Sequence, residues 1–250
     1  MIIDTHTHWP FSVNDDPAGF LRTMDRFGVD GSVLCGWEIL HKRDTMAKWN
    51  DVLVDFCRRS EGRLWPLVSV HLAEGTRAVD EAKRCLDSRA VKGFKFHPWV
   101  QGEYILRGEM DAVCRLASQA RVPILFHDGT PVYSLPSQVG VLAKMHPETT
   151  FVLGHGGILY YWKEAIETAR QCPNVVVGLC GQHPLAMQTI CDQVDPDRIL
   201  YGTDFMGPGT EDLVAYRKGM VDRLNLSEEL RKKVMGENAV RMFGLGTRSK

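Results

Sequence analysis

Pro123-Ile-Leu-Phe-His127 and Phe151-Val-Leu-Gly-His155 flank the stretch Ser137–Met145, and these three segments decide the fold. The runs Pro123–Phe126 and Thr150–Leu153 are apolar without alternation, the pattern of parallel strands covered on both faces. Ser137–Met145 between them reads as a helix, and each strand closes on a histidine.

The same alternation continues in both directions. Further strands are expected at Met1–Asp4, Gly31–Cys35, Leu64–Val70, Ala90–Phe96, Val175–Gly178 and Ile199–Tyr201. Helices are expected at Pro17–Phe27, Asp44–Arg59, Arg77–Leu86, Met110–Ala120, Lys163–Gln171, Leu185–Gln193 and Glu211–Arg223. Asp44–Arg59 places Met46, Trp49, Val52, Leu53 and Phe56 on one face, and Ser227-Glu-Glu229 reads as a capped start for a helix through Val234. Eight strands alternating with helices predict a single (β/α)8 TIM barrel. The rival is an open doubly wound sheet, but no G-x-G-x-x-G follows the first strand and no phosphate-binding loop motif occurs. With no linker-like tract, residues 1–250 read as one domain.

Composition narrows the function classes. The 30 basic and 31 acidic side chains leave a net charge of -1, which offers no general attraction for nucleic acid or an anionic membrane. The seven cysteines are odd in number and contain no C-x-x-C, which argues against a disulfide scaffold or a cysteine zinc cage. Met1-Ile-Ile-Asp4 lacks the charged and apolar regions of a signal peptide, and no window has the apolar length of a membrane span. Reduced thiols and a cytoplasmic location are expected.

Histidine placement carries more information than histidine number. Barrel active sites are built at the carboxyl ends of the strands. Seven of the nine histidines fall at or just past such an end: His6, His8, His71, His97, His127, His155 and His183. Glu38 and Asp204 occupy the ends of strands two and eight. His6 and His8 are two apart, so on extended backbone both imidazoles point one way and can reach one cation. Zn²⁺ suits such a pair, with manganese or iron as alternatives. Taken alone, the pair also fits two hydrogen-bonded loop histidines. A carboxylate at the end of an apolar strand, such as Asp204, is costly unless paired or coordinated; a helix cap is its plainer explanation.

Asp4-Thr-His-Thr-His8, Gly93-Phe-Lys-Phe-His-Pro98, Leu153-Gly-His-Gly156, Ile199-Leu-Tyr-Gly-Thr-Asp-Phe205 and Gly236-Glu-Asn-Ala239 occur in that order. This ordered set resembles the amidohydrolase superfamily, in particular the amidohydrolase-2 branch that includes aminocarboxymuconate-semialdehyde decarboxylase and resorcylate-type decarboxylases. The resemblance implies His6, His8, His127 and Asp204 as ligands of one divalent metal. It makes Asp204 the group that handles the proton of a bound water, and His155 the group that orients or deprotonates that water. The carboxylate-gripping arginine of the decarboxylases has no clear counterpart, and the stretch after Trp9 is short. Other superfamily members carry a carboxylated lysine on strand four; here His-Pro follows Lys95, which resembles the mononuclear branch and leaves Lys95 as a buried or snorkelling lysine.

A metal-dependent hydrolase of a small amide, lactone or ester is the expected activity, with a non-oxidative decarboxylase as the alternative. His97, Trp9, Glu38 and His183 are the expected substrate contacts. A metal-dependent nuclease is disfavoured, because its glutamate-rich strand-four motif is replaced by Gly93-Phe-Lys-Phe-His97. A catalytically silent barrel would lack the full ligand set. The expected partner is a small molecule, with no nucleic acid or membrane and a homodimer as a candidate assembly.

Overall fold

The structure is a computed structural model that describes residues 1–9 and 15–246. The short stretch after Trp9 noted above therefore lies mostly outside the described residues. Eight parallel strands pair in sequence order: β1 (Ile3–Trp9), β2 (Gly31–Gly36), β3 (Leu64–Val68), β4 (Gly93–Phe96), β5 (Ile124–Phe126), β6 (Phe151–Leu153), β7 (Val175–Leu179) and β8 (Ile199–Tyr201). The helices begin with α1 (Ala18–Phe27), α2 (Trp37–His41) and α3 (Met46–Arg58), followed by α4 (Thr76–Asp87), α5 (Pro98–Gln101) and α6 (Gly108–Ala120). They continue with α7 (Pro136–Met145), α8 (Trp162–Gln171), α9 (Pro184–Gln193) and α10 (Asp212–Asp222). The arrangement is the expected (β/α)8 barrel.

Apolar side chains divide by strand parity into two layers. Val33, Cys35, Leu67, Leu125, Val152, Val176 and Leu200 fill the barrel interior. Their strand neighbours, among them Leu34, Phe94, Phe96, Phe126, Phe151, Val175 and Tyr201, pack outward with the helices. The continuous apolar runs of the sequence have this cause: both faces of each strand are covered.

β1 is longer than expected, so His6 and His8 lie on the strand and not beyond it. Its pairing with β2 contains a bulge: Asp4 faces Ser32 and Thr7 faces Leu34, one extra residue on β1. The bulge matters because Ile3 also belongs to the interior layer. Strict alternation from an inward Ile3 would turn His6 and His8 outward; the extra residue reverses the parity and pairs His8 with inward-facing Cys35.

The seam between β8 and β1 closes the barrel beside those histidines. Thr5 Oγ1 donates to Tyr201 O at 2.7 Å, Asp204 N to His6 O at 2.9 Å, and His8 N to Phe205 O at 2.6 Å. The buried Asp4 carboxylate accepts from Thr203 N at 3.0 Å, Thr203 Oγ1 at 2.6 Å and His6 N at 3.2 Å.

Three helical segments depart from the sequence reading. α2 and α5 are single turns too short to show a period. The helix capped by Ser227, whose hydroxyl accepts from Leu230 N, does not end at Val234. It runs on through a π-helical stretch, Lys233–Glu237, into α12 (Asn238–Phe243, with α11 being Glu228–Lys232). Ala239, Phe243 and Leu245 plug the amino-terminal end of the barrel, and Asn238 Nδ2 donates to Pro196 O and Ile199 O at the foot of β8. Among the described residues no helix is long and apolar enough to cross a membrane, and all seven cysteines are free and buried.

Thr203→Val removes a hydroxyl of the same size and leaves the buried Asp4 carboxylate short of a donor. Its expected cost is about 1–3 kcal/mol, read as a Tm lowered by roughly 2–10 °C in thermal denaturation. An unchanged Tm would remove the seam from the account of stability.

Candidate metal centre

The inward turn of β1 brings His6 and His8 to 5.3 Å between ring centroids, and β8 delivers Asp204 opposite them. Asp204 stands at φ 60, a left-handed conformation that aspartate tolerates better than most residues. Its Oδ1 lies 3.8 Å from His6 Nε2 and 3.6 Å from His8 Nε2. These are too long for hydrogen bonds. They are close to the separation of about 3.4 Å for two donors each about 2.1 Å from one tetrahedral ion.

Backbone carbonyls set the tautomers. His6 Nδ1 is 3.3 Å from Gly154 O, so it carries the hydrogen and Nε2 holds the lone pair. An N–H to carbonyl bond of this kind is the usual support of a metal-ligating histidine. Gly154 makes the contact possible, since a Cβ there would stand 2.9 Å from the His6 ring and 2.7 Å from Phe126 O. His155 Nδ1 lies 2.8 Å from Cys180 O, so it too carries the hydrogen. His155 Nε2 must then accept from His127 Nδ1, 2.8 Å away, which leaves the His127 lone pair on Nε2.

The chain thus brings together His6, His8 and Asp204, with His127 one ring further on behind His155. A second group, His6, His155 and Cys180, has donor atoms equally close. It is the poorer site: both His155 ring nitrogens are already engaged, and burial pushes the Cys180 thiol well above its usual pKa.

Burial dominates the protonation of the cluster. It lowers His6 well below its usual value, His8 to about 3, His97 to about 2 and His155 to about 4, and it also lowers His127. At neutral pH the rings are uncharged, which is the form that binds cations. For Asp204 burial opposes ionisation, but His155, His8 and Lys95 outweigh it and hold the carboxyl below its usual range.

Lys95 neither snorkels nor reaches solvent. It is fully buried, with Nζ 2.8 Å from His6 Nε2, directed at the lone pair a cation would use. Burial lowers its pKa.

The expected substrate contacts separate. His97 is buried and stacks on His127, centroids 3.7 Å apart and planes 12° from parallel. Trp9 points away from the barrel interior: it packs among Phe20, Phe56 and Phe205, and its Nε1 donates to Asp15 Oδ2 at 2.6 Å. Glu38 is held by Lys42 at 2.8 Å. His183 caps α9, accepting from Ala186 N at 3.3 Å. His71 hydrogen-bonds Ile39 O at 2.7 Å. Trp37, passed over in favour of its neighbour Glu38, stands edge-on to His8 at 5.3 Å and to His97 at 6.1 Å. Its signal was the strand end it shares with Glu38. Asp4 and Asp128 were also passed over, although the desolvation argument applied to Asp204 fits both.

A protein-family model described as amidohydrolase matches residues 3–245. The chain belongs to the amidohydrolase family. Solved structures share the fold at low identity. A 5-carboxyvanillate decarboxylase from Sphingomonas paucimobilis is 14% identical, with 98% of this chain and 99% of that chain covered and a TM-score of 0.78. A dihydroxybenzoic acid decarboxylase from Polaromonas sp. JS666, solved with manganese and 2-nitroresorcinol, is 14% identical over 97% and 96%, with a TM-score of 0.76. A provisionally named amidohydrolase from Staphylococcus aureus is 19% identical over 98% and 99%, with a TM-score of 0.76. Among curated proteins, none matches.

The neutral histidine cluster of this amidohydrolase has a pH signature. Metal-free protein is expected to lose stability as pH falls from 6.5, the ordinary imidazole value, toward about 4, because the unfolded chain takes up protons that the buried rings refuse. His155 alone accounts for on the order of 3 kcal/mol by pH 4. Urea denaturation of metal-free protein at several pH values measures the slope, and a flat profile over this window would contradict neutral buried imidazoles.

Proposed function

We propose that this protein is a metal-dependent hydrolase acting on a small organic amide, lactone or ester. The observation that carries the reading is the convergence of His6 Nε2, His8 Nε2 and Asp204 Oδ1 at one point of the barrel mouth. These three residues would hold one divalent ion, and His127 would add the Nε2 lone pair that its tautomer leaves free. Zinc suits this nitrogen and oxygen donor set; manganese is bound in two of the solved decarboxylases. Such an ion, when bound, supplies a Lewis acid for a carbonyl oxygen and lowers the pKa of water.

The chain's own groups do the rest. The Asp204 carboxylate accepts the proton of the attacking water and returns it to the leaving atom. His155, with its hydrogen fixed on Nδ1 by Cys180 O, can only accept at Nε2. Its Nε2 is held by the His127 Nδ1–H, so it would align the water by exchanging that contact for a water O–H, and it does not donate to an oxyanion. Trp37, His97 and Trp99 form an aromatic wall beside His8 and His127, which suits a flat substrate better than an extended polar one.

A carboxy-lyase is the second reading, favoured by the likeness to decarboxylases of hydroxylated benzoic acids. The same residues would then deliver a proton to carbon. Metal-loaded protein incubated with lactones, amides and aromatic carboxylic acids separates the two. Hydrolysis requires a product that has gained water; carbon dioxide release without net water addition overturns it in favour of the lyase.

Two substitutions test the division of labour. Asp204→Ala is expected to lower metal content at least tenfold by elemental analysis, and full occupancy would remove it from the ligand set. His155→Ala is expected to keep its metal and lose roughly 10²–10⁴ in kcat. Metal loss in that variant would make His155 a ligand instead.

A further inference from the structure

Asp128 follows His127 and takes no part in the chemistry above, yet the loop that carries His155 hangs on it. Its carboxylate is fully buried and accepts from His155 N at 2.7 Å and from Gly157 N at 2.5 Å. Three successive residues of that loop are left-handed: Gly156 at φ 50, Gly157 at φ 89 and Ile158 at φ 39. A β-branched side chain rarely adopts this conformation, so the loop persists only because its surroundings over-determine it. Gly129, next to Asp128, completes the cradle. A Cβ there would stand 2.6 Å from the Ile158 side chain and 2.8 Å from the Gly157 carbonyl carbon.

Every polar atom of His155 is thereby engaged. Its N–H goes to Asp128, its carbonyl accepts from Gln182 Nε2, its Nδ1–H goes to Cys180 O, and its Nε2 accepts from His127. The last two are ring contacts that fix tautomer and aim. The first two fix the backbone from which the ring projects. Removing the Asp128 carboxylate orphans two buried N–H groups, which can be satisfied only if the loop opens.

We infer that Asp128 is a positioning residue: by holding the backbone at His155 and Gly157, its carboxylate keeps the His155 ring on Cys180 O and His127. The catalytic consequence rests on the role proposed for His155; the structural consequence does not.

Asp128→Asn, which keeps one acceptor oxygen and sets an amide NH2 against the other backbone N–H, tests it, with Asp128→Ala, which removes both acceptors without adding a donor, as a second variant should the first not fold. Deuterium uptake in the peptide covering residues 151–161 is expected to rise. The ¹⁵N signature of the His155 ring is expected to change from a pure Nδ1–H tautomer to a mixture. On any panel compound that the wild-type protein turns over, kcat is expected to fall about 10- to 100-fold at unchanged KM, with metal content retained. Unchanged uptake, or an unchanged ring tautomer, overturns the inference. So does loss of metal in step with activity, which would place Asp128 in support of the metal centre. If wild-type protein turns over nothing in the panel, the proposed reaction fails while the exchange and tautomer readouts still judge Asp128.

Discussion

The site depends on the seam where the last strand meets the first. β8 and β1 are the most distant strands in sequence, and the Asp4 carboxylate joins them by accepting from Thr203 and from His6 N. Desolvation is severe enough to push the Asp4 pKa up to about 7, in spite of its donors. The carboxylate's hydrogen bonds add to the Thr5, His6 and His8 contacts across the same seam. The backbone so joined carries His6 on one side and Asp204 on the other. Barrel closure and the placing of His6 against Asp204 therefore rest on the same contacts.

Orientation within the site comes from main-chain carbonyls. Gly154 O and Cys180 O each take an imidazole N–H, and these two contacts decide which nitrogens keep lone pairs. The consequence extends to His127, whose tautomer follows from that of His155. Imidazoles from three strands are ordered by two carbonyls just past β6 and β7. Glycines past β6 and β8 make room for His6: Gly154 lets its ring approach, and a side chain at Gly202 would meet its Cβ at 2.9 Å.

Loop residues divide by what stands behind them. His97 and Trp37 face the donor set because β4 and β2 end beneath it. Trp9 ends β1 as directly, but alternation sends its ring into the helix-facing layer with Phe20 and Phe56. His183 and Glu38 follow strands too, yet one caps a helix and the other pairs one turn along its own helix. A strand end in the sequence gives proximity to the barrel mouth. It does not give direction.

The sequence by itself determined the architecture and the chemical types at the mouth. Continuous apolar runs, helical periods between them and polar residues at the run ends are local patterns, and eight repeats of such a pattern close in few ways. His6 and His8 were legible as a pair because a period of two is a property of one strand. Only the tertiary structure decided which way that pair faces, since the bulge between Asp4 and Thr7 exists only against β2. The same holds for the lone pairs, fixed by carbonyls 148 and 25 residues from the rings they orient, and for Asp128, whose partners lie in the loop that follows the next strand. Spacing along a chain reports which side chains share a face. Which face becomes a site depends on the carbonyls, bulges and buried carboxylates that distant strands supply.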